Sequence, residues 1–510
     1  MKIKIIMICF FVSGALFAQN ITNTLGSSGT FTIKDGSTNY FTLSQSSGQV
    51  NILRTLRLEN TTSSTTGVIY KAGNRFIHNY GNSNLFMGLN SGNFTLTGSL
   101  NTTLGINTLT LNTSGSENVA IGVLSLHQNT TGYGNTAVGI SSLETNSTGY
   151  LNTAVGSYSL FFNSTGRENT AVGNNSLGSN SSGTQNTAVG CLSLLNNGTG
   201  SNNSAFGWSS LRSNTQGSYN SAFGFQSLYS NIAGFNNSAF GWNALYSNTH
   251  GLDNSSFGQT SLYSNTNGSA NSAFGWDAMF RNINGHYNSA FGRRSLYSNL
   301  TGERNTAVGD NSMESNMSGS FNTAIGSFSG NFTTGDNNTA IGSYAFVPSG
   351  SSNNQVRIGN TLITYAGIQV AWTVTSDRNL KSNIFSSNLG LGFITKLRPV
   401  SYTRKNDESA KTEYGLIAQE VEEVLQQEGI ENNGMLTITD EGEYQLRYND
   451  LIAPMIKAIQ ELNEKNEELS AENTDLKDRL TKYEQMQNVL AGEIEKLKDD
   501  GIKEINHSKK

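Results

Sequence analysis

The chain of 510 residues contains 3 prolines and 2 cysteines, and its long amino-terminal portion is poor in charge. All three prolines (Pro348, Pro399 and Pro454) lie at or beyond position 348, so upstream corners must be turned by other residues. Cys9 sits in the amino-terminal apolar stretch and Cys191 stands alone after it, which excludes an intrachain disulfide once that stretch is removed. The 5 histidines (His78, His127, His250, His286 and His507) are scattered, so no metal cluster and no cofactor are expected. A net charge of −5 without a basic block removes the electrostatic footprint of a nucleic-acid binder. No segment after the amino terminus is apolar for 18 residues, so no membrane span is expected once that terminus is removed.

That terminus reads as a secretory signal. Lys2 and Lys4 precede the apolar "IIMICFFVSGALF", and "ALFAQ" offers small residues for cutting between Ala18 and Gln19. Residue 19 is Gln rather than the Cys of a lipoprotein, and a secreted or cell-surface protein is expected.

What the chain has in abundance is glycine, 55 of them, with much Asn, Ser and Thr. Such a composition often means disorder, but here it keeps strict time. A glycine recurs every 17 residues from Gly88 through Gly105, Gly122 and Gly139 to Gly326, and the next, Gly342, arrives one residue early. Around each the pattern is close to N-[ST]-A-[VIF]-G-x-x-[SA]-[LM]-x-x-N-x-x-G, as in "NTAVGISSLETNSTG" and "NSAFGWDAMFRNING". A fixed period of this length signals a solenoid. Each repeat reads as two short extended runs, "TAVG" and "SL", joined by Asn/Gly corners. Rungs about 4.8 Å apart give a rod on the order of 75 Å long, with Asn ladders running from rung to rung. Trp208, Trp242 and Trp276 fall at one place in alternate rungs, a sparse column that packing or surface decoration explains better than a ligand platform. Ala and Val or Phe stand side by side before each Gly. Adjacent strand residues face opposite ways, so one of the two needs cover from outside the coil, and a neighbouring subunit supplies it. Residues 20–83 alternate apolar and polar positions and are expected to form strands, capping the rod's open end.

The repeat "NTAVGSYSLFFNSTGREN" resembles the head repeats of YadA-like trimeric adhesins over residues 84–346. The resemblance implies three left-handed parallel β-rolls packed around one axis. The membrane-inserting barrel that ends those adhesins is not expected here, since the sequence closes on "EINHSKK".

Charge returns abruptly. Only 25 of the 69 charged side chains lie at or before Thr375, and the last 135 residues hold the other 44. Past the border decapeptide "TSDRNLKSNI", residues 389–406 read as a helix then a strand, 414–429 as an amphipathic helix, and 444–463 as a strand entering another helix. That helix continues as heptads. Ile452, Ile459, Asn466, Asn473, Leu480, Gln487 and Ile494 fall at a, and Met455, Leu462, Leu469, Leu476, Tyr483, Leu490 and Leu497 at d. Glu472 with Lys477, Arg479 with Glu484, and Glu493 with Lys498 are complementary g-to-e pairs between chains.

"SDRNLKSNI", "LRPVSYTRKN", "YGLIAQEV" and "YNDLIAPMIKAIQEL" together resemble the intramolecular chaperone domain of phage endosialidases and tail spikes, a self-cleaving serine peptidase family. The resemblance runs from Ser376 to about Asn463. It implies a dyad of Ser376 as nucleophile and Lys381 as general base, cutting between Thr375 and Ser376. On one regular helix the two side chains would stand about 140° apart, so they must meet across a bend or a subunit boundary. Spacing alone favours Ser376 as a helix cap and Lys381 as a solvated charge; the four motifs together favour the dyad.

The expected fold class is therefore mainly β: a trimeric parallel β-roll or solenoid rod of 17-residue repeats, then a small α+β chaperone domain ending in a coiled coil. The expected organisation is signal 1–18, β cap region 19–83, repeats 84–346, neck 347–375, chaperone and peptidase domain 376–463, and coiled coil 452–497. The expected partner is a second and third copy of the chain, with surface glycans as a candidate ligand. The alternatives are a carbohydrate-binding or glycan-degrading fibre and an ice-binding solenoid, each with an uncleaved clamp.

Overall fold

The computed structural model describes residues 30–35, 38–44, 50–52, 56–370, 372–405, 410–431 and 433–507. The signal segment with its Ala18–Gln19 junction lies outside the described residues. Three antiparallel strands come first, β1 (Thr30–Asp35), β2 (Thr38–Ser44) and β3 (Val50–Ile52). A hairpin follows, β4 (Ile69–Lys71) with β5 (Asn74–His78). From β6 (Leu85–Met87) to β21 (Thr339–Ile341) the chain lays down one three-residue strand per turn, each parallel to the last, and β22 (Val356–Ile358) adds one more. Each strand pairs with the strands one turn before and after it, as Thr153 does with Thr136 and Thr170. The sheet winds as a solenoid.

A single turn explains the repeat. In β9 (Thr136–Val138) the β-branched Thr136 and Val138 point outward, while Ala137 is fully buried. Ala fits because the coil is thin: across it lies Leu143, also fully buried. Gly139 follows at φ +141°, where a Cβ would sit 2.4 Å from the carbonyl oxygen of Gly156 in the next turn. Glycine is required there both by angle and by space.

The second run departs from the sequence expectation. It is not extended: Ser141 and Leu143 adopt φ of +53° and +51°, and the pattern repeats turn after turn. A left-handed angle costs a non-glycine residue about 1–2 kcal/mol. Burial of the leucine, worth about 1.5–3 kcal/mol, offsets it. The run also bonds both neighbouring turns, from Ser141 N–H to Val123 C=O (2.8 Å) and from Leu143 N–H to Ser159 C=O (3.0 Å).

Two buried asparagine ladders replace what would be apolar core in a thicker protein. In one, running from Asn84 to Asn338, each Oδ1 accepts the backbone N–H of the asparagine a turn later, as Asn135 does from Asn152 (3.0 Å). In the other, from Asn112 to Asn316, each Nδ2 donates to a glycine carbonyl three residues on and, from Asn129 onward, also to the previous Oδ1. The second ladder ends in the turn that is one residue short, between Gly326 and Gly342. Thr333 pairs in register with Met317, so the buried Phe332 stands where the next asparagine would, and the buried Asn316 Oδ1 has no partner among the described residues.

Stacked aromatics run along the outside. Phe206, Phe223, Phe240, Phe257, Phe274 and Phe291 stack with ring centroids 4.6 to 5.0 Å apart. The tryptophan column is less sparse than the sequence suggested, because Phe225 stacks on Trp208 at 4.8 Å.

Both ends of the core are plugged. At the amino end the buried Phe86 takes the alanine position, and Gly92 stands where later turns carry leucine, leaving room for the ring. At the other end buried Phe332 fills in beside Gly330. The β5 strand covers the amino-terminal edge by antiparallel pairing, Ile77 with Met87 and His78 with Phe86. Capping within residues 20–83 thus falls to β4 and β5. Carbonyls of the first turn, which have no previous turn to serve, accept from side chains instead. Ser91 C=O accepts from His78 Nε2 (2.9 Å) and Arg75 Nε (3.1 Å), and Asn90 C=O from Arg75 Nη2 (2.9 Å). A carbonyl only accepts, so His78 carries its proton on Nε2; its Nδ1 accepts from Tyr80 N–H at 3.4 Å. Burial, and secondarily the Arg75 charge, hold the imidazole below its usual pKa, against the bond to Ser91, which acts to raise it.

After the rod, every described residue from 361 to 388 is exposed. A small domain follows: α1 (Leu391–Ile394), β23 (Val400–Tyr402), β24 (Glu413–Gly415), α2 (Ala418–Gln427), β25 (Leu436–Ile438) and β26 (Tyr444–Leu446). β23 with β24 and β25 with β26 form antiparallel hairpins. Leu389, Phe393, Val421, Val424, Leu425 and Leu451 make its core. The helix α3 (Ile452–His507) then runs on alone, every residue from 462 to 500 exposed. No helix among the described residues is long and apolar enough to cross a membrane.

Candidate self-processing site

The border decapeptide folds around one short 3-10 turn, Arg378–Leu380. Asp377 starts it: its Oδ1 accepts the N–H of Asn379 at 2.8 Å, the ordinary work of an aspartate at an N-cap. Ser376 therefore precedes the cap and is not the cap itself. Lys381 closes the turn with an extended backbone, its N–H bonded to Arg378 C=O at 3.1 Å. A tight turn flanked by two extended residues brings residues 376 and 381 to the same side, which a continuous helix could not do. Lys381 Nζ donates to Ser376 Oγ at 2.6 Å. The meeting occurs across a bend and within one chain.

The surroundings are open. Ser376, Lys381 and Thr375 are all exposed, and so are Trp372, Val374, Leu380, Ile384 and Phe385, at 60 to 85 % of their full accessibility. An ammonium in water is a donor, and in this geometry it donates to the hydroxyl. To accept the serine proton it must first lose its own, and desolvation is the physical route to that. One chain supplies no such cover.

The body of the small domain is tied together by ion pairs and helix contacts. The two N–H groups of Arg398 grip Glu420 of α2, through Nη2 to Oε1 and through Nε to Oε2 at 3.0 Å. The hydrogen bond from Arg398 is the chief cause of a lowered Glu420 pKa. Lys396 reaches Glu428 at 2.7 Å and Arg404 reaches Glu413 at 2.9 Å. Glu461 of α3 accepts from Leu391 N–H at 2.7 Å, pinning α1 to the long helix. Sequence reasoning missed Asp377 and Glu461. The first had a local signal, an Asp two residues before the amide it caps; the second, 70 residues from its partner, had none.

The architecture is that of a tail-fibre-like protein, a β-solenoid rod joined to a small α+β domain and a long helix. Residues 376–430 match the family model described as chaperone of endosialidase, and the match begins at Ser376. No curated protein and no solved structure matches the chain.

Proposed function

We propose that the protein is an exported homotrimeric fibre whose chaperone domain brings three rods into register and is then released by its own cut before Ser376. The observation that carries the reading is the 2.6 Å bond between Lys381 Nζ and Ser376 Oγ at the first residue of the chaperone domain.

The trimer supplies what the single chain lacks. The neck exposes Tyr365, Val370, Trp372 and Val374 at 73 to 86 %. The heptad positions of α3 are equally bare, Leu469 at 54 % and Leu497 at 71 %. Apolar surface in so long a run is stable only when covered, and parallel copies of the same neck and helix cover it in register. Burial of Lys381 in that assembly makes its amine neutral. The amine then takes the Ser376 Oγ proton while Oγ bonds to the carbonyl carbon of Thr375. The Thr375–Ser376 C–N bond breaks, the nitrogen gains a proton, and an ester remains. Water hydrolyses the ester, leaving a carboxylate on Thr375 and restoring the Ser376 hydroxyl. Coupling of deprotonation to burial means that only assembled chains are cut.

Intact mass and amino-terminal sequencing of the purified protein test this. A small fragment starting Ser-Asp-Arg-Asn, absent in Ser376→Ala, is the expected outcome. A wild-type trimer that stays whole would make the domain a permanent clamp.

A further inference from the structure

One backbone column of the rod carries its bonds in a single direction. At the residue eight after most turns' glycines, and seven after Gly326 in the shortened turn, the N–H donates to the carbonyl of the next turn. Ser147 donates to Ser164 (3.1 Å), Ile283 to Leu300 (3.1 Å), Leu300 to Met317 (2.8 Å), Met317 to Thr333 (2.8 Å) and Thr333 to Gly350 (2.8 Å). Gly350 belongs to the last turn, so its N–H has no following carbonyl. It finds an acceptor nonetheless. Asp440 Oδ2, at the tip of the β25–β26 hairpin and 90 residues away, takes the bond at 3.0 Å. The Asp440 N–H in turn donates to Pro348 C=O at 2.7 Å.

We infer that the β25–β26 hairpin is an end-cap for the rod, with the Asp440 carboxylate standing in for the carbonyl of the turn that does not exist. The surface recognised is the open backbone edge of the last turn, in this chain or in a second copy. The logic matches the opposite end. There the edge presents bare carbonyls, and cationic Arg75 serves them. Here it presents a bare N–H, and an anion serves it. The chaperone domain thereby reads whether the last turn is wound, because Pro348 and Gly350 present this pair of groups only in the coiled conformation. A carboxylate bond to a backbone N–H is also stronger than the neutral bond it replaces. The role is separate from cutting at Ser376 and holds whether or not that cut occurs.

The hairpin keeps its own bonds without the Asp440 side chain: Thr439 N–H donates to Glu443 C=O at 2.9 Å, and Glu443 N–H to Thr439 Oγ1 at 3.1 Å. That separates the cap from a merely structural role. In the full chain carrying Ser376→Ala, Asp440→Ala should speed hydrogen exchange at the Gly350 amide by about tenfold or more. The Thr439 amide should be unchanged. Asp440→Asn, which retains an acceptor oxygen, should stay within about threefold of the parent at Gly350. If Asp440→Ala gives no folded protein while Asp440→Asn gives the parental yield, the acceptor is needed for winding, and the inference stands. It is overturned if Gly350 exchange is unchanged in Asp440→Ala, if Thr439 accelerates equally, or if Ala and Asn fail alike.

Discussion

Replacing Asn152 by alanine tests whether the rod stands on its asparagine ladders. The side chain is fully buried and makes four bonds: Nδ2 donates to Asn135 Oδ1 (3.0 Å) and Gly166 C=O (2.9 Å), and Oδ1 accepts from Asn169 N–H and Asn169 Nδ2 (3.1 Å each). Most of the abandoned partners have a second contact. Asn135 Oδ1 still accepts Asn152 N–H, Gly166 C=O still accepts Asn163 Nδ2, and Asn169 Nδ2 still reaches Gly183 C=O. The Asn169 backbone N–H is the group left stranded. An orphaned buried donor costs about 1–3 kcal/mol, and the other lost bonds about 0.5–1.5 kcal/mol each. The total comes to about 2.5–7.5 kcal/mol, concentrated in two adjoining turns. Guanidinium unfolding of Asn152→Ala measures it, beside Thr165→Ala, an exposed neighbour expected to fall within about 0.5 kcal/mol of wild type. A loss below about 1 kcal/mol for Asn152→Ala would refute the reasoning and mean that water or slack in the coil satisfies Asn169.

Three further outcomes are expected. Lys381→Arg should leave the chain whole, as Ser376→Ala should, because a guanidinium stays protonated; mass spectrometry of the purified protein reads it, and normal cutting would exclude Lys381 as the base. Deleting residues 464–510 should give aggregated or uncut chains, since three Gly-rich rods meet a large ordering entropy before their contacts form; a full yield of soluble, cut trimer would contradict it. Acid should loosen the amino-terminal cap. The buried His78 titrates below its ordinary value of 6.5, so as pH falls through that value the unfolded chain takes up a proton the folded one resists, and stability is lost downward from about pH 7. His78→Gln should flatten this part of the stability profile between pH 7.5 and 5.5, measured by urea unfolding, and an unchanged slope would argue against it.

What repeats was legible in the sequence. The 17-residue step and the asparagine positions each write one contact many times over, and a contact repeated at fixed spacing shows as a period. Even the shortened turn that ends at Gly342 could be read as an interruption of the period, and the unpaired oxygen of Asn316 faces it. The Ser376–Lys381 pair was visible as a spacing inside a composition break, but not as a contact, because five residues join two side chains only through the particular turn that Asp377 caps. The backbone of the second run lay out of reach as well. Nothing in "SL" announces a leucine at φ +51°, which is paid for by burial against an alanine from another part of the turn. Sequence by itself determined the rod and its period. Tertiary structure alone decided how the ends are closed, because Arg75 with Ser91 and Asp440 with Gly350 are contacts made once, between residues that share no repeat. A unique long-range bond depends on where folding carries its two partners, and it leaves no periodic trace in the order of residues.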